Sequence, residues 1–332
     1  MKYFNFFICL FIVSACATAP NIPTQTARAP ASGGAFSGIS DGLAAGLYKG
    51  PIALPTGDLN RAAAKLYLPL QYDQKASWPL VVLLHGFSGT AETEDAYLTT
   101  RFRVSTRGFI LLTPEGTPTP NGIRGAKGED LGGKQFWNAP DVCCDFGGTG
   151  VDDVGYLTKL IDSVALQYKV DKNRIYLFGH SNGGFMVNYL ACEIGDRLAG
   201  VANLAGGSSK EAASCKNQSP ISYLQIHAID DPTIAYGDDP KYAGAKATVE
   251  QWVKRNGCTG AANPNGRKDY VLLVPAKDTT LQTWANCQKN TRVSLWTIQP
   301  HKSENHNPHV PLFNINFTGD VLDFLLNQKK TD

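Results

Sequence analysis

A serine set between glycines, two acids closing an apolar run and three histidines near the C-terminus have the types and the order for nucleophilic acyl transfer. The segment Gly179-His180-Ser181-Asn182-Gly183 has the spacing G-x-S-x-G, a weak signal by itself in a chain with 33 glycines. Its surroundings strengthen it, because Ile175-Tyr176-Leu177-Phe178 reads as a strand and residues 185–192 as a helix. A sharp strand-to-helix turn strains the backbone, flanking glycines remove side chains that would clash, and the Ser181 hydroxyl is held above the sheet. The N-terminus of the following helix favours negative charge developing there.

A serine hydroxyl does not ionise near neutrality, so it needs a histidine to take its proton and an acid to fix that histidine's tautomer. The expected chain order is serine, acid, histidine. Asp230 and Asp231 follow the apolar run 221–227; Asp231 is the expected acid and Asp230 a turn residue, while Asp238 and Asp239 read as solvated turn acids. His301, His306 and His309 follow that acid, whereas His85 ends an earlier apolar run, His180 adjoins the serine and His227 precedes the acid. His309 leads into the last amphipathic segment between Pro308 and Pro311 and is the expected base, with His306 as the alternative. Read as metal ligands, the three would need a helix to align them, and Pro308 breaks it. LLHGFSG, residues 83–89, ends an apolar run in a glycine turn whose amides can point at a carbonyl oxygen. The amides of Phe87 and Asn182 are the expected oxyanion donors, with His85 structural beneath them. Asp152 and Asp153 open a helical stretch and read as cap and dipole partners.

These side chains require a scaffold that brings distant segments to one edge. Apolar runs at 62–70, 80–84, 109–113, 174–178, 198–204, 221–227 and 293–298 are separated by helical patterns such as 151–168 and 242–256. Continuous apolar runs suit strands buried on both faces, and their alternation with helices predicts a mostly parallel α/β sheet in one domain, residues 47–332. The stretch 117–150 carries glycines, prolines, Trp137 and the vicinal Cys143 and Cys144 without periodicity. A loop that long inside a domain is usually functional, so it is expected to border the site.

With 332 residues and 43% hydrophobic content, the chain can bury a substantial core as one domain. The 31 basic and 29 acidic residues are scattered and leave a net charge of +2, which argues against nucleic acid as a partner. The opening MKYFNFFICLFIVSAC, a lysine, an apolar run and small residues, reads as an export signal too short to span a bilayer. Val13-Ser14-Ala15-Cys16 resembles a bacterial lipobox, which makes residues 1–15 a lipoprotein-type signal and Cys16 the lipidated N-terminus. Ala17-Thr18-Ala19 is the alternative, an ordinary A-x-A cleavage site. Alanine after the lipidated cysteine favours the outer membrane, by resemblance to such lipoproteins. Residues 16–46, rich in Ala, Pro, Gly, Ser and Thr, read as a flexible tether.

Of the eight cysteines, setting aside Cys9 and Cys16 leaves six, an even number in an exported chain and therefore candidates for disulfides. Cys258 and Cys287 look like a local pair, and the pairing of Cys143, Cys144, Cys192 and Cys215 stays open. A zinc site would need a C-x-x-C or mixed histidine spacing that the sequence lacks.

Taken together, "PLVVLLHGFSG", "GFILLTPEGT", "FWNAPDVCCDFGG", "RIYLFGHSNGGFMVNYLACE" and "IHAIDDPTIAYGD" resemble the polyhydroxybutyrate depolymerase and feruloyl esterase-like branch of the α/β-hydrolases. The resemblance covers most of residues 58–328. It implies an α/β-hydrolase fold, esterase chemistry on exported substrates, Ser181 as nucleophile and Asp231 as acid. It also implies that Trp137 lines an acyl or aromatic subsite, the other reading being a buried core tryptophan. In the family a histidine near the end follows a glycine pair, and here the segment is QPHKSENHNPHVPLF. The expectation is an exported, lipid-anchored serine esterase that needs no metal or organic cofactor and touches membrane only through its anchor. Its first expected substrate is a hydroxyalkanoate polyester and its second a feruloyl or acetyl-xylan ester. A catalytically silent surface-binding lipoprotein is the reading from another class.

Overall fold

Alternation within the apolar runs decides how the sheet is covered. The computed structural model describes residues 46–331, except 58–59, 212–214, 273, 275–276 and 301–306. Strand β3 (Trp78–Leu84) is buried along its whole length. Leu80, Val82 and Leu84 join one apolar cluster and Val81 and Leu83 the opposite one, as the two-residue period of a strand requires. Helices therefore pack on both faces. Leu157, Leu160, Ile161 and Val164 of α2 (Asp153–Gln167) fill the first cluster, with Phe185, Val187 and Leu190 of α3 (Asn182–Ile194) and Val249 and Trp252 of α4 (Ala245–Arg255). Leu98 of α1 (Ala91–Leu98) and Phe317, Val321, Leu322 and Leu325 of α5 (Ile315–Leu326) fill the second.

The remaining strands of the main sheet are β1 (Lys49–Leu54), β2 (Ala64–Leu68), β4 (Ile110–Thr113), β5 (Val170–His180), β6 (Gly200–Leu204), β7 (Ser222–Ala228), β8 (Asn263–Lys268), β9 (Thr279–Trp284) and β10 (Val293–Ile298). Their spatial order is β1-β2-β4-β3-β5-β6-β7-β10-β9-β8. The six strands from β4 to β10 run parallel, and antiparallel pairs flank them at both edges. The expected mostly parallel sheet is thus present, within one compact unit spanning Ala44–Asp332. Strands β1, β8 and β9 are additions that apolar runs do not announce. The six residues of β8, NPNGRK, are all exposed, and β9 merely alternates buried and half-buried positions.

Register brings the strand ends level. Leu84 pairs with Gly179, His180 with Leu204, Leu204 with Ile226 and Ala228 with Ile298. The loops leaving β3, β5 and β7 therefore open on the same carboxyl edge, where parallel α/β sheets place their sites. Cysteines pair as Cys258–Cys287, Cys192–Cys215 and Cys143–Cys144. The expected signal, Cys16, nearly all of the tether, His301 and His306 lie outside the described residues.

Candidate active site

Ser181 stands between β5 and α3 with φ 53° and ψ −118°, a conformation rarely adopted by residues other than glycine. The glycines of the pentapeptide make the turn sterically feasible. A Cβ at position 179 would lie 2.2 Å from the Gly183 carbonyl oxygen, and one at 183 would lie 2.3 Å from that of Leu84. The Ser181 amide donates to the Leu204 carbonyl at 2.8 Å, fixing the turn to the neighbouring strand.

Three segments far apart in sequence meet at this hydroxyl. His309 Nε2 lies 2.8 Å from Ser181 Oγ, and His309 Nδ1 lies 2.8 Å from Asp231 Oδ2. The carboxylate can only accept, so the proton sits on Nδ1 and the Nε2 lone pair faces the serine. Asp231 is held from behind by the amides of Thr233 and Ile234, at 2.8 and 3.0 Å from Oδ1. Burial pushes its carboxyl up. The hydrogen bonds from His227 and His309, with the electrostatic attraction of the His309 ring and the Ile234 amide, outweigh burial and hold Asp231 well below the usual carboxylate range. Asp230 is exposed, as expected of a turn residue. The His309 backbone is fixed too: its amide donates to Asn307 Oδ1 at 3.0 Å, and the Pro311 carbonyl accepts from the Tyr97 hydroxyl at 3.0 Å.

The loop after β3 packs against the serine, with a Cβ at position 86 falling 3.3 Å from Ser181 Cβ. Neighbouring amides in this loop are engaged: Gly86 with Glu94, Ser88 with the Gln135 carbonyl and Gly89 with the Gly86 carbonyl. The Phe87 amide donates to no acceptor among the described residues. Asn182 is the first residue of α3, where an amide has no acceptor within the helix. Neither expected oxyanion donor therefore spends its N–H on an acceptor among the described residues. His85, fully buried, donates from Nδ1 to the Gly86 carbonyl at 2.8 Å and accepts the Gly116 amide at Nε2 at 2.9 Å. Burial is the larger influence on it and lowers its pKa to about 4, so it is a neutral strut beneath the loop.

Trp137 is a buried core tryptophan, the second of its two expected readings, and not a wall of the subsite. Its side chain is 0% exposed, and its indole donates to the His85 carbonyl at 2.9 Å. Its backbone pairs twice with the Asn182 side chain, each bond 2.8 Å long. Trp137 thus clamps the donor loop to the start of α3. Asp152 caps α2 through the Gly155 amide and Asp153 stands in its first turn, as expected. Asp153 is in addition buried against Arg61 at 2.6 Å and accepts the Asn138 amide at 2.7 Å, anchoring the 117–150 loop. That loop does border the site, where exposed Phe146 meets Phe87 edge-on at 5.1 Å.

Sequence reasoning missed two contributors. His227, fully buried, places Nε2 at 3.2 Å from Asp231 Oδ2 and 2.9 Å from the Ile234 carbonyl, bracing the acid. Its position four residues before Asp231 was the available signal. Glu94 contacts both the donor loop and His180, and no local pattern marks it.

Comparison with known proteins bears on the fold and on the class of chemistry. Residues 150–254, which hold Ser181 and Asp231, match the Phospholipase/Carboxylesterase family. Feruloyl esterase B of Piromyces equi is 28% identical over 232 residues, covering 66% of this chain and 38% of that protein. Poly(3-hydroxyalkanoate) depolymerase C of Paucimonas lemoignei is 25% identical over 218 residues, covering 64% of this chain and 45% of that protein. The chain thus spans less than half the length of either relative. A solved acetyl xylan esterase from Aspergillus awamori matches with a TM-score of 0.52 at 14% identity, over 79% of this chain and 93% of that one. The chain has the α/β-hydrolase fold.

Proposed function

We propose that this α/β-hydrolase is a serine carboxylic-ester hydrolase working through an acyl-enzyme. The observation that carries the reading is the continuous line of 2.8 Å contacts from Ser181 Oγ through His309 to Asp231. Ser181 Oγ attacks the ester carbonyl carbon while His309 Nε2 takes its proton. Asp231 keeps the ring oriented and stabilises the imidazolium. The amides of Phe87 and Asn182 receive the oxyanion, a contribution worth about 100- to 1,000-fold in turnover per donor. The C–O bond then breaks as His309 returns the proton to the leaving alcohol. Water, deprotonated by the same nitrogen, attacks the acyl carbon and releases the acid and Ser181.

Feruloyl esters rank ahead of hydroxyalkanoate polyester in this reading, because the Phe87–Phe146 aromatic pair stands beside an oxyanion donor and suits a planar acyl group. The name of the Piromyces relative supports the same order. Turnover of purified protein on methyl ferulate, acetylated xylan and hydroxybutyrate oligomers, with Ser181→Ala as control, tests both levels. Activity in Ser181→Ala sinks the mechanism, and preference for hydroxybutyrate oligomers reverses the substrate order. Export with a lipid anchor on Cys16 belongs to the same proposal, and three cysteine pairs support an oxidising compartment. Labelled palmitate incorporated by a bacterial host should disappear in Cys16→Ser; label retained in that variant refutes the anchor.

A further inference from the structure

His180 is buried immediately before the nucleophile, yet both of its ring nitrogens meet partners other than the serine hydroxyl. Its Nε2 lies 3.1 Å from the backbone carbonyl of His309, and its Nδ1 lies 3.3 Å from Glu94 Oε2. Glu94, on α1 and also buried, uses that same Oε2 to accept the Gly86 amide of the oxyanion loop at 3.3 Å. Its other oxygen, Oε1, has no hydrogen-bond partner among the described residues. One carboxylate oxygen therefore joins the loop carrying Phe87 to a ring that holds the backbone of His309. The rings of Tyr97 and His309 both lie against it, with centroids at 5.5 and 5.4 Å.

From this geometry we infer that Glu94 and His180 are positioning residues that set the oxyanion loop and the base in register with each other. The inference rests on the reading of Ser181 and His309 as the reacting pair. Oxyanion donors act only where the tetrahedral oxygen will sit, and the base only within hydrogen-bond reach of Oγ, so both must be placed relative to the same carbonyl carbon. Gly86 precedes Phe87, and the His309 carbonyl belongs to the residue whose ring does the chemistry. A shift in either is transmitted to the other through two buried side chains. Both His180 contacts are to acceptors, a carbonyl and a carboxylate, which suits a ring donating from both nitrogens. Consistently, although burial works against the charged ring, the charge and hydrogen bond of Glu94 and the His309 carbonyl raise its pKa overall.

The test measures kcat and KM on a soluble nitrophenyl ester, the inhibition constant of a phenylboronic acid, and the thermal midpoint. The variants are His180→Ala, Glu94→Ala, their double variant and His180→Gln. Misplacement of reacting groups costs up to about 100-fold, so each single alanine variant should lose about 10- to 100-fold in kcat with KM nearly unchanged. The boronic acid, which mimics the tetrahedral state, should weaken in proportion. The double variant should be no worse than the poorer single, since both break one link. His180→Gln, whose amide can donate to the His309 carbonyl, should recover most of the loss. Folded alanine variants with wild-type kcat, or single losses that multiply in the double, overturn the inference. If the alanine variants do not fold, His180→Gln against His180→Phe reads the same contact, and equal kcat in the two overturns it. Failure of the functional reading shows separately, as activity in Ser181→Ala.

Discussion

Two buried histidine–carboxylate couples lie side by side at this site. Asp231 holds His309 at 2.8 Å, and Glu94 holds His180 at 3.3 Å, with the two rings 5.4 Å apart. What separates them is the second nitrogen. That of His309 faces a hydroxyl, and that of His180 faces a carbonyl. A hydroxyl can give up a proton and a carbonyl cannot, so under the proposed mechanism a histidine with a carboxylate makes a base in one place and a brace in the other. The carboxylates differ in the same sense. Asp231 has two backbone amides and two histidines around it, whereas Glu94 has a bare oxygen. The couple that the proposed mechanism charges during turnover is the one whose carboxylate has the fuller set of hydrogen-bond donors.

The sharpest way to break this contrast is His309→Ala, which should cost about 10⁵- to 10⁶-fold in kcat because members of such a unit fail together. A loss no larger than that of His180→Ala would erase the distinction. Asp231→Asn should follow with about 10⁴-fold, since an amide leaves the ring in the wrong tautomer; steady-state turnover on one ester ranks all three.

His85 sharpens the comparison from another side, as a buried histidine kept neutral. Its folded pKa of about 4 lies below the unfolded value of 6.5, so the unfolded chain binds the extra proton first. Its contribution to stability is therefore whole above pH 6.5 and is lost as pH falls towards 4, by at most about 1.4 kcal/mol per pH unit. Asp231, also depressed, adds to the loss at lower pH still. Urea midpoints at pH 7, 5.5 and 4 should show that slope and find it shallower in His85→Asn; an unchanged slope would mean that His85 is not its source. Smallest of all, Asp230→Asn should alter kcat by less than about twofold, because surface substitutions away from special contacts change little. A large loss there would move the acid one residue upstream.

The parts legible in the sequence are those written locally. Gly179 and Gly183 announce the elbow because close backbone contacts leave no room for a Cβ. Asp231 announces itself by closing an apolar run, and His309 by sitting between prolines ahead of an amphipathic stretch. The parts that were not legible depend on partners far along the chain. Glu94 meets His180 across 86 residues and His180 meets the His309 carbonyl across 129. No periodicity encodes such meetings. For Trp137 the resemblance offers a subsite wall or a buried core residue, and for Asp153 the helix start offers a dipole partner. Their contacts, Trp137 with Asn182 and Asp153 with Arg61, join residues far apart in sequence and have no local signature. The edge strand β8 shows no apolar signal because it buries nothing.

Treatment with a fluorophosphonate, followed by intact mass and peptide mapping, reads out whether Ser181 is a nucleophile activated by His309. One adduct on Ser181, absent in Ser181→Ala and formed far more slowly in His309→Ala than in His180→Ala, is the predicted result. An adduct on another residue, or an unlabelled Ser181 in protein that still hydrolyses esters, would contradict it.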